Sequence, residues 1–160
     1  MQETSFSLKQ FDELSASDLY AILQLRAEVF VVEQNCVYQD LDGADHDALH
    51  VIGMLGQTLA CYARLVPPGV KYETPAIGRV VTKQSARKEG LGKLLMQRSI
   101  DYCHQQWPAW DITISAQQHL ERFYSALGFS VISEPYLEDD IPHIEMLHQR
   151  KPAGMLKNQE

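Results

Sequence analysis

Arg87, Gly90 and Gly92 lie within one short stretch, ARKEGLG, between the apolar run AIGRVV and the amphipathic run LGKLLMQRSIDYCHQQ. A glycine inside a strand or helix costs about 0.5–1 kcal/mol relative to alanine, so two in succession ask for a reason. A strand that runs through a glycine turn into a helix presents unpaired backbone N–H groups at the positive end of the helix dipole. That dipole is worth only ~0.3–1 kcal/mol per exposed charge, so several N–H donors must act together with Arg87 and Lys88 to hold a phosphate. Glycine at positions 90 and 92 clears the space a β-carbon would fill. The chemistry is that of a pyrophosphate cradle. A P-loop is excluded because no Gly-Lys-Ser/Thr closes the turn, and a dinucleotide fingerprint because no GxGxxG opens an early βαβ unit.

The elements that must position this turn read from hydrophobic period and turn residues. FSLKQF alternates as a first strand. Ser15 and Asp18 have capping-box spacing, and Leu19, Ile22, Leu23, Val29 and Phe30 follow as one helical stripe. NCVYQDLDGADHDALH is a polar loop; HVIGML and TLACYARLV form a hairpin, and AIGRVV a fourth strand. After the helix over LGKLLMQRSIDYCHQQ come a buried strand, WDITISA, and a short helix, QHLERFYSALG, closed by Gly128. FSVISE and PHIEMLHQ are closing strands. The expectation is a layered α/β (α+β) chain with an antiparallel first half, one domain over residues 1–150 and a polar tail over 151–160.

Arg87 to Gly92 after AIGRVV, with FYSALGF one strand later, resembles the GNAT superfamily of acetyl-CoA-dependent N-acetyltransferases. LRAEVFVVEQNCVYQDLDG, AQQHLERFYSALGF and EDDIPHIEM resemble its ElaA-like branch, so the resemblance covers nearly the whole chain. It implies a mixed, mostly antiparallel sheet of six to seven strands, flanked by helices and splayed between strands 4 and 5. Backbone groups of Val80, Val81 and Thr82 would pair with the pantetheine arm, with Val81 N–H facing the oxyanion. Arg87, Lys88, Glu89, Gly90, Leu91, Gly92 and Lys93 would hold the pyrophosphate of acetyl-CoA, the co-substrate. Gln117 stands where many members carry asparagine. Tyr124 would be the general acid that protonates the departing thiolate. The alternative reading is a non-catalytic acyl-CoA-binding module acting through a partner protein.

An ammonium must lose a proton before it attacks. His143, Glu33, Glu145 and His50 are the candidate bases, with His143 and Glu33 ahead because both lie in family-like segments. Arg26 falls on the apolar stripe of the first helix, either paired inside or shaping the substrate cleft, as Glu33 would. The acidic run DLDGADHD has its glycine fourth and no closing glutamate, so it fails the EF-hand pattern and reads as a solvated loop or the mouth of an amine cleft. No metal is expected.

A formal charge of −7 over 160 residues argues against nucleic acid or an anionic membrane as the main partner, and permits a cationic acceptor. The acceptor is a small-molecule amine or a peptide or protein amine; a homodimer is left open. Cys36, Cys61 and Cys103 form no CxxC pair, which fits a reducing compartment. The N-terminus lacks a basic region ahead of an apolar core, so a cytoplasmic location is expected.

Overall fold

The computed structural model describes residues 3–152, without the side chains of Lys88 and Glu89; the tail beyond Pro152 lies outside the described residues. Eight strands form one sheet in the order β1-β2-β3-β4-β5-β8-β6, with β7 also paired to β8. The strands are β1 (Thr4–Gln10), β2 (Leu49–Leu55), β3 (Thr58–Val66), β4 (Ala76–Thr82), β5 (Ile112–Gln117), β6 (Phe129–Val131), β7 (Tyr136–Glu138) and β8 (Ile141–His148). The helices are α1 (Ala16–Arg26), α2 (Leu91–Gln106) and α3 (Glu121–Ala126). The fold class expected from the sequence is the one observed. The strand beyond the expected six to seven is three-residue β7, hidden in a segment whose turn, Asp139 and Asp140, has φ of 51° and 64°. Two positive φ values in a row close a tight hairpin, a geometry usually signalled by Asn-Gly rather than Asp-Asp.

α1 starts where the capping box places it: Ser15 Oγ accepts from Asp18 N–H at 3.0 Å, and the Asp18 carboxylate accepts from Ser15 N–H at 3.1 Å. Its inward face is Ile22, Leu25 and Arg26, with Leu23 only half-buried. At Ala27 the helix widens into a π-helix that runs to Glu33. π-Helical turns are rare and gather at functional sites.

The sheet is covered on both faces. On one, Ile22, Leu25 and Val29 pack over Ile52, Tyr62 and Val81. On the other, Leu91, Leu95, Met96 and Ile100 of α2 pack over Val51, Cys61, Ala63, Leu65 and Ile77, and the cluster runs on to Ile114, Tyr124 and Met146. The alternation Cys61, Tyr62, Ala63 along β3 sends successive side chains to opposite helices, as the two-residue period of a strand requires.

Two irregularities in β4 make the functional space. Arg64 pairs with Gly78 and Tyr62 with Val81, so Arg79 and Val80 oppose the single residue Ala63. That is a β-bulge, and Arg79 sits in it with φ 50°; bulges bend a strand and re-aim the side chains after them. Beyond Ala76 β4 parts from β5. The two run parallel but pair only at Ala76 and Thr113. This is the splay expected between the fourth and fifth strands.

Candidate active site

The splay opens into a cleft of about 620 Å³. Ile77, Gly78, Arg79 and Val80 form one wall and Ile114, Ser115, Ala116 and Gln117 the other, with Val29, Phe30 and Glu33 of the π-helix above and Tyr124 and His143 at one side. Of the residues singled out in the sequence, Glu33, Val80, Arg87, Gln117, Tyr124 and His143 all reach this cleft. Val81 points its side chain into the α1 core. Leu91 is buried under α2.

The α2 N-terminus follows shortly after Arg87, which lines the cleft. Gly90, φ 69°, is the residue before the helix, and no side chain caps it. No acidic residue occupies the first turn. A helix start left without a side-chain cap keeps backbone donors to offer. Gly92 carries the stronger message. A β-carbon built there would meet only Thr82 Oγ1, at 3.8 Å, an ordinary contact. The protein's own packing therefore does not require glycine at 92, although glycine in a helix costs up to about 1 kcal/mol. Space held open at that expense, beside uncapped N–H groups, fits a phosphate.

The Arg87 side chain is placed by the Thr82 carbonyl and by a carboxylate. Its Nε donates to Thr82 O at 3.1 Å, and its Nη1 meets Glu33 Oε2 at 2.6 Å. Glu33 is thus bound to the cation of the phosphate motif. Lys93 is exposed at the first turn of α2.

Tyr124 is 8% exposed, with its ring edge-on to Phe123 and Phe129. Burial pushes its phenol up to about 12. At neutral pH it always holds its proton. An alkyl thiol ionises near ~8.5, so such a phenol donates a hydrogen bond to a developing thiolate more readily than it surrenders the proton outright.

His143 stands opposite Gln117 in the β5–β8 register. Its Nδ1 lies 2.7 Å from Ile141 O, and its Nε2 lies 3.3 Å from Glu138 Oε2. The carbonyl can only accept, so Nδ1 carries the hydrogen and Nε2 is free to take one. Glu138, Asp139 and Ser115 are cleft residues that the sequence did not single out. The one signal in the sequence is the EDDIP turn, which on residue types alone is a plain loop.

Other candidates lie elsewhere. His50 is 1% exposed and bonds Tyr62 Oη and Asp45 O at 2.6 and 3.0 Å, beneath the acidic loop rather than in the cleft. Burial holds its pKa below the ordinary histidine value. Arg26 is fully buried and does not line the cleft; it binds Asp45 at 2.7 Å and Asp40 at 2.9 Å. Glu145 is held through its backbone N–H by Ser133 Oγ at 2.8 Å, on the β8 stretch beyond His143.

The acidic loop is not a solvated strip. Arg64 meets Asp42 and Asp45, Arg79 meets Asp40 and Asp42, and Lys71 meets Asp42 at 2.8 Å. Together with Arg26, four cations pin three aspartates. The loop's charge is spent on anchoring the segment after the π-helix and on holding Arg79 in its bulge. Among the described residues, no group of three or more His, Cys, Asp or Glu is placed to hold a metal ion, and no helix is long and apolar enough to cross a membrane.

The acetyltransferase (GNAT) domain family matches residues 13–149. Protein ElaA of Escherichia coli K12 is 45% identical over 139 residues, covering 86% of this chain and 91% of that one. A UPF0039 protein of Synechocystis is 39% identical over 95% of this chain and 99% of its own length. Among solved structures, an acyl-CoA N-acyltransferase from Pseudomonas aeruginosa superposes with a TM-score of 0.87 at 42% identity, covering 92% of this chain and all of that one. The crystal structure of E. coli ElaA gives the same TM-score at 41% identity.

Proposed function

The chain belongs to the GNAT acetyltransferase family, and on that premise we propose that it moves the acetyl group of acetyl-CoA to a primary amine by direct attack in a ternary complex. The observation that carries the reading is Gly92: space kept free of any side chain, at an uncapped helix start, beside the end of β4, the strand that forms one wall of the cleft. Acetyl-CoA supplies a thioester-activated acetyl group and a pyrophosphate by which it can be held.

The chain's own residues divide the work. Backbone N–H groups from Gly90 to Lys93, with Arg87, hold the phosphates. The β4 edge at Val80, Val81 and Thr82 is free of β5 and pairs with the amides of a slender linear ligand, as a neighbouring strand otherwise would. Gln117 adds a polar side chain from the facing wall. Val29 and Phe30 exclude water above the splay, which strengthens every polar contact beneath them. His143 takes the ammonium proton at Nε2; the amine's lone pair then forms the new N–C bond as the C–S bond breaks, and Tyr124 offers its hydrogen to the sulfur. Cys36, Cys61 and Cys103 have no part in this scheme. The last two are buried, and burial pushes both thiols up to about 12, away from the thiolate that a nucleophile needs.

The test is thiol release from acetyl-CoA across a panel of amines, amino acids and short peptides, alongside thermal denaturation with coenzyme A. Turnover with one acceptor above hydrolysis establishes the activity and its substrate class. Stabilisation by coenzyme A without turnover on any acceptor leaves binding alone, and no stabilisation removes the reading.

A further inference from the structure

His143 and Glu138 face each other across the β7–β8 hairpin, and the pair is unsatisfied in a specific way. With the Nδ1 hydrogen given to Ile141 O at 2.7 Å, the Nε2 that meets Glu138 Oε2 at 3.3 Å is a lone pair, and the carboxylate is an acceptor too. Two acceptors at that separation repel each other and attract a shared donor: a proton on Nε2, or a cationic N–H entering from the cleft that both residues line.

The pair is also braced. The Tyr136 ring stacks on His143 at 6.2 Å, and Tyr136 and His143 are register partners. Tyr136 Oη is hydrogen-bonded to Ser115 Oγ, and Ser115 Oγ reaches Glu138 Oε2 at 3.4 Å. The side chains facing the imidazole are therefore Tyr136 and Glu138 from β7 and neutral Gln117 and Ser115 from β5, with Glu145 further along β8. Among the described residues Glu138 is the one carboxylate in contact with the ring, and its side chain is 52% exposed, so it needs no compensating burial.

We propose that Glu138 is the positioning residue of the acceptor site: it draws the ammonium to His143, stabilises the imidazolium formed when His143 accepts the ammonium proton, and selects a positively charged primary amine over a neutral one. This rests on the acyl-transfer reading above. The proton balance is closed: one ammonium proton moves to His143 Nε2, where Glu138 neutralises the imidazolium, and returns to solvent after product leaves; the second proton, lost from nitrogen as the amide forms, replaces the one Tyr124 gives to the sulfur. Because the acceptor is received as a cation and deprotonated in place, Glu138 acts on acceptor binding and on the proton step, and not on the acyl donor.

The experiment uses the full chain with Glu138→Gln, Glu138→Asp, His143→Gln and the double variant Glu138→Gln/His143→Gln. Glu138 is exposed, so these chains keep the fold, checked by unchanged stabilisation with coenzyme A. The expected result is a drop of tenfold or more in kcat/KM for the amine in Glu138→Gln, with the acetyl-CoA KM unchanged and most of the loss recovered in Glu138→Asp. The double variant is expected to lose no more than His143→Gln alone, since residues acting as one unit do not add. Wild-type turnover in Glu138→Gln or multiplicative losses in the double variant would each overturn the proposal. Failure of the wild-type chain to acetylate any amine would instead strike the acyl-transfer reading.

Discussion

Arg87 Nη1 lies 2.6 Å from Glu33 Oε2, joining the turn before α2 to the last residue of the π-helix across 54 positions of chain. A guanidinium engaged by a carboxylate on that face has fewer donors to give a phosphate, so Glu33 and an anion compete for Arg87. Half-exposed pairs of this kind are worth roughly 0.2–1 kcal/mol. Glu33→Gln is therefore expected to tighten coenzyme A binding by at most about fivefold, since 1.4 kcal/mol is a factor of about ten. Isothermal titration with coenzyme A measures it; weaker or equal binding would show that Arg87 and Glu33 act together on the ligand rather than against each other.

Gly92 predicts two changes of opposite sign in one variant. Gly92→Ala adds a methyl group that meets only Thr82 Oγ1 at 3.8 Å, so the free chain gains up to about 1 kcal/mol in helix propensity. The same methyl group enters the phosphate space. Thermal denaturation without ligand is expected to rise while coenzyme A affinity falls, and Gly92→Glu is expected to abolish binding. A glycine kept for folding would lose stability in Gly92→Ala instead.

Tyr124→Phe removes one oxygen from a ring that Phe123 and Phe129 hold by its edges. The packing stays, so stability and coenzyme A affinity are expected to change little. The rate should fall roughly 10²-fold, the low end of what a positioned acid contributes. Steady-state kinetics on the acceptor found in the panel is the measurement, and a wild-type kcat would remove Tyr124 from the chemistry.

Stability is expected to fall in two stages on acidification. His104 is buried against His148, and burial is the chief reason its pKa drops to about 4; His50 shifts the same way. A histidine whose folded pKa lies below its unfolded value of ~6.5 stabilises the fold above that value and loses the contribution as pH falls toward the folded one. The first decline therefore spans about pH 6.5 to 4. Asp42 and Asp45 are held below the usual carboxylate range by their arginine partners, against a desolvation that pushes the other way. Their contribution is full above the unfolded carboxylate value of ~3.9 and disappears below it. Urea unfolding from pH 7 to 3 reads both stages, and a flat profile to pH 4 would contradict the first.

Arg26→Leu is expected to destabilise by about 3 kcal/mol, the low end for a broken buried pair, because Asp40 and Asp45 lose one cation and keep Arg79 and Arg64. Chemical denaturation measures the loss. Coenzyme A affinity in the folded fraction is expected to stay at the wild-type level, since Arg26 does not line the cleft.

What the sequence disclosed was what is local. The capping box at Ser15 and Asp18, the glycine turn before α2 and the FYSALGF element all lie within a few residues, so their geometry is written in their spacing. What it withheld depends on distant partners. Arg26 reads as paired inside or as shaping the cleft, and the stripe alone cannot name its partners, Asp40 and Asp45 of a later loop. His50 has the look of a base, yet Tyr62 and Asp45 occupy both of its ring nitrogens. Glu138 escapes notice because its place beside His143 depends on a two-residue turn of aspartates, whose positive φ values the residue types signal only weakly.

The separation of β4 from β5 beyond Ala76 and Thr113 leaves two bare strand edges in the middle of a sheet rather than at its rim. Bare edges invite foreign strands, and proteins usually blunt them with charges, bulges or a covering element. Here the bulge at Arg79 twists one edge away, and Val29, Phe30 and Tyr124 narrow the entrance. A single-file chain of amides with no side chains fits such a slot, whereas a polypeptide strand does not. The same narrowing that leaves room for a slender chain hinders a neighbour's strand from pairing along these edges.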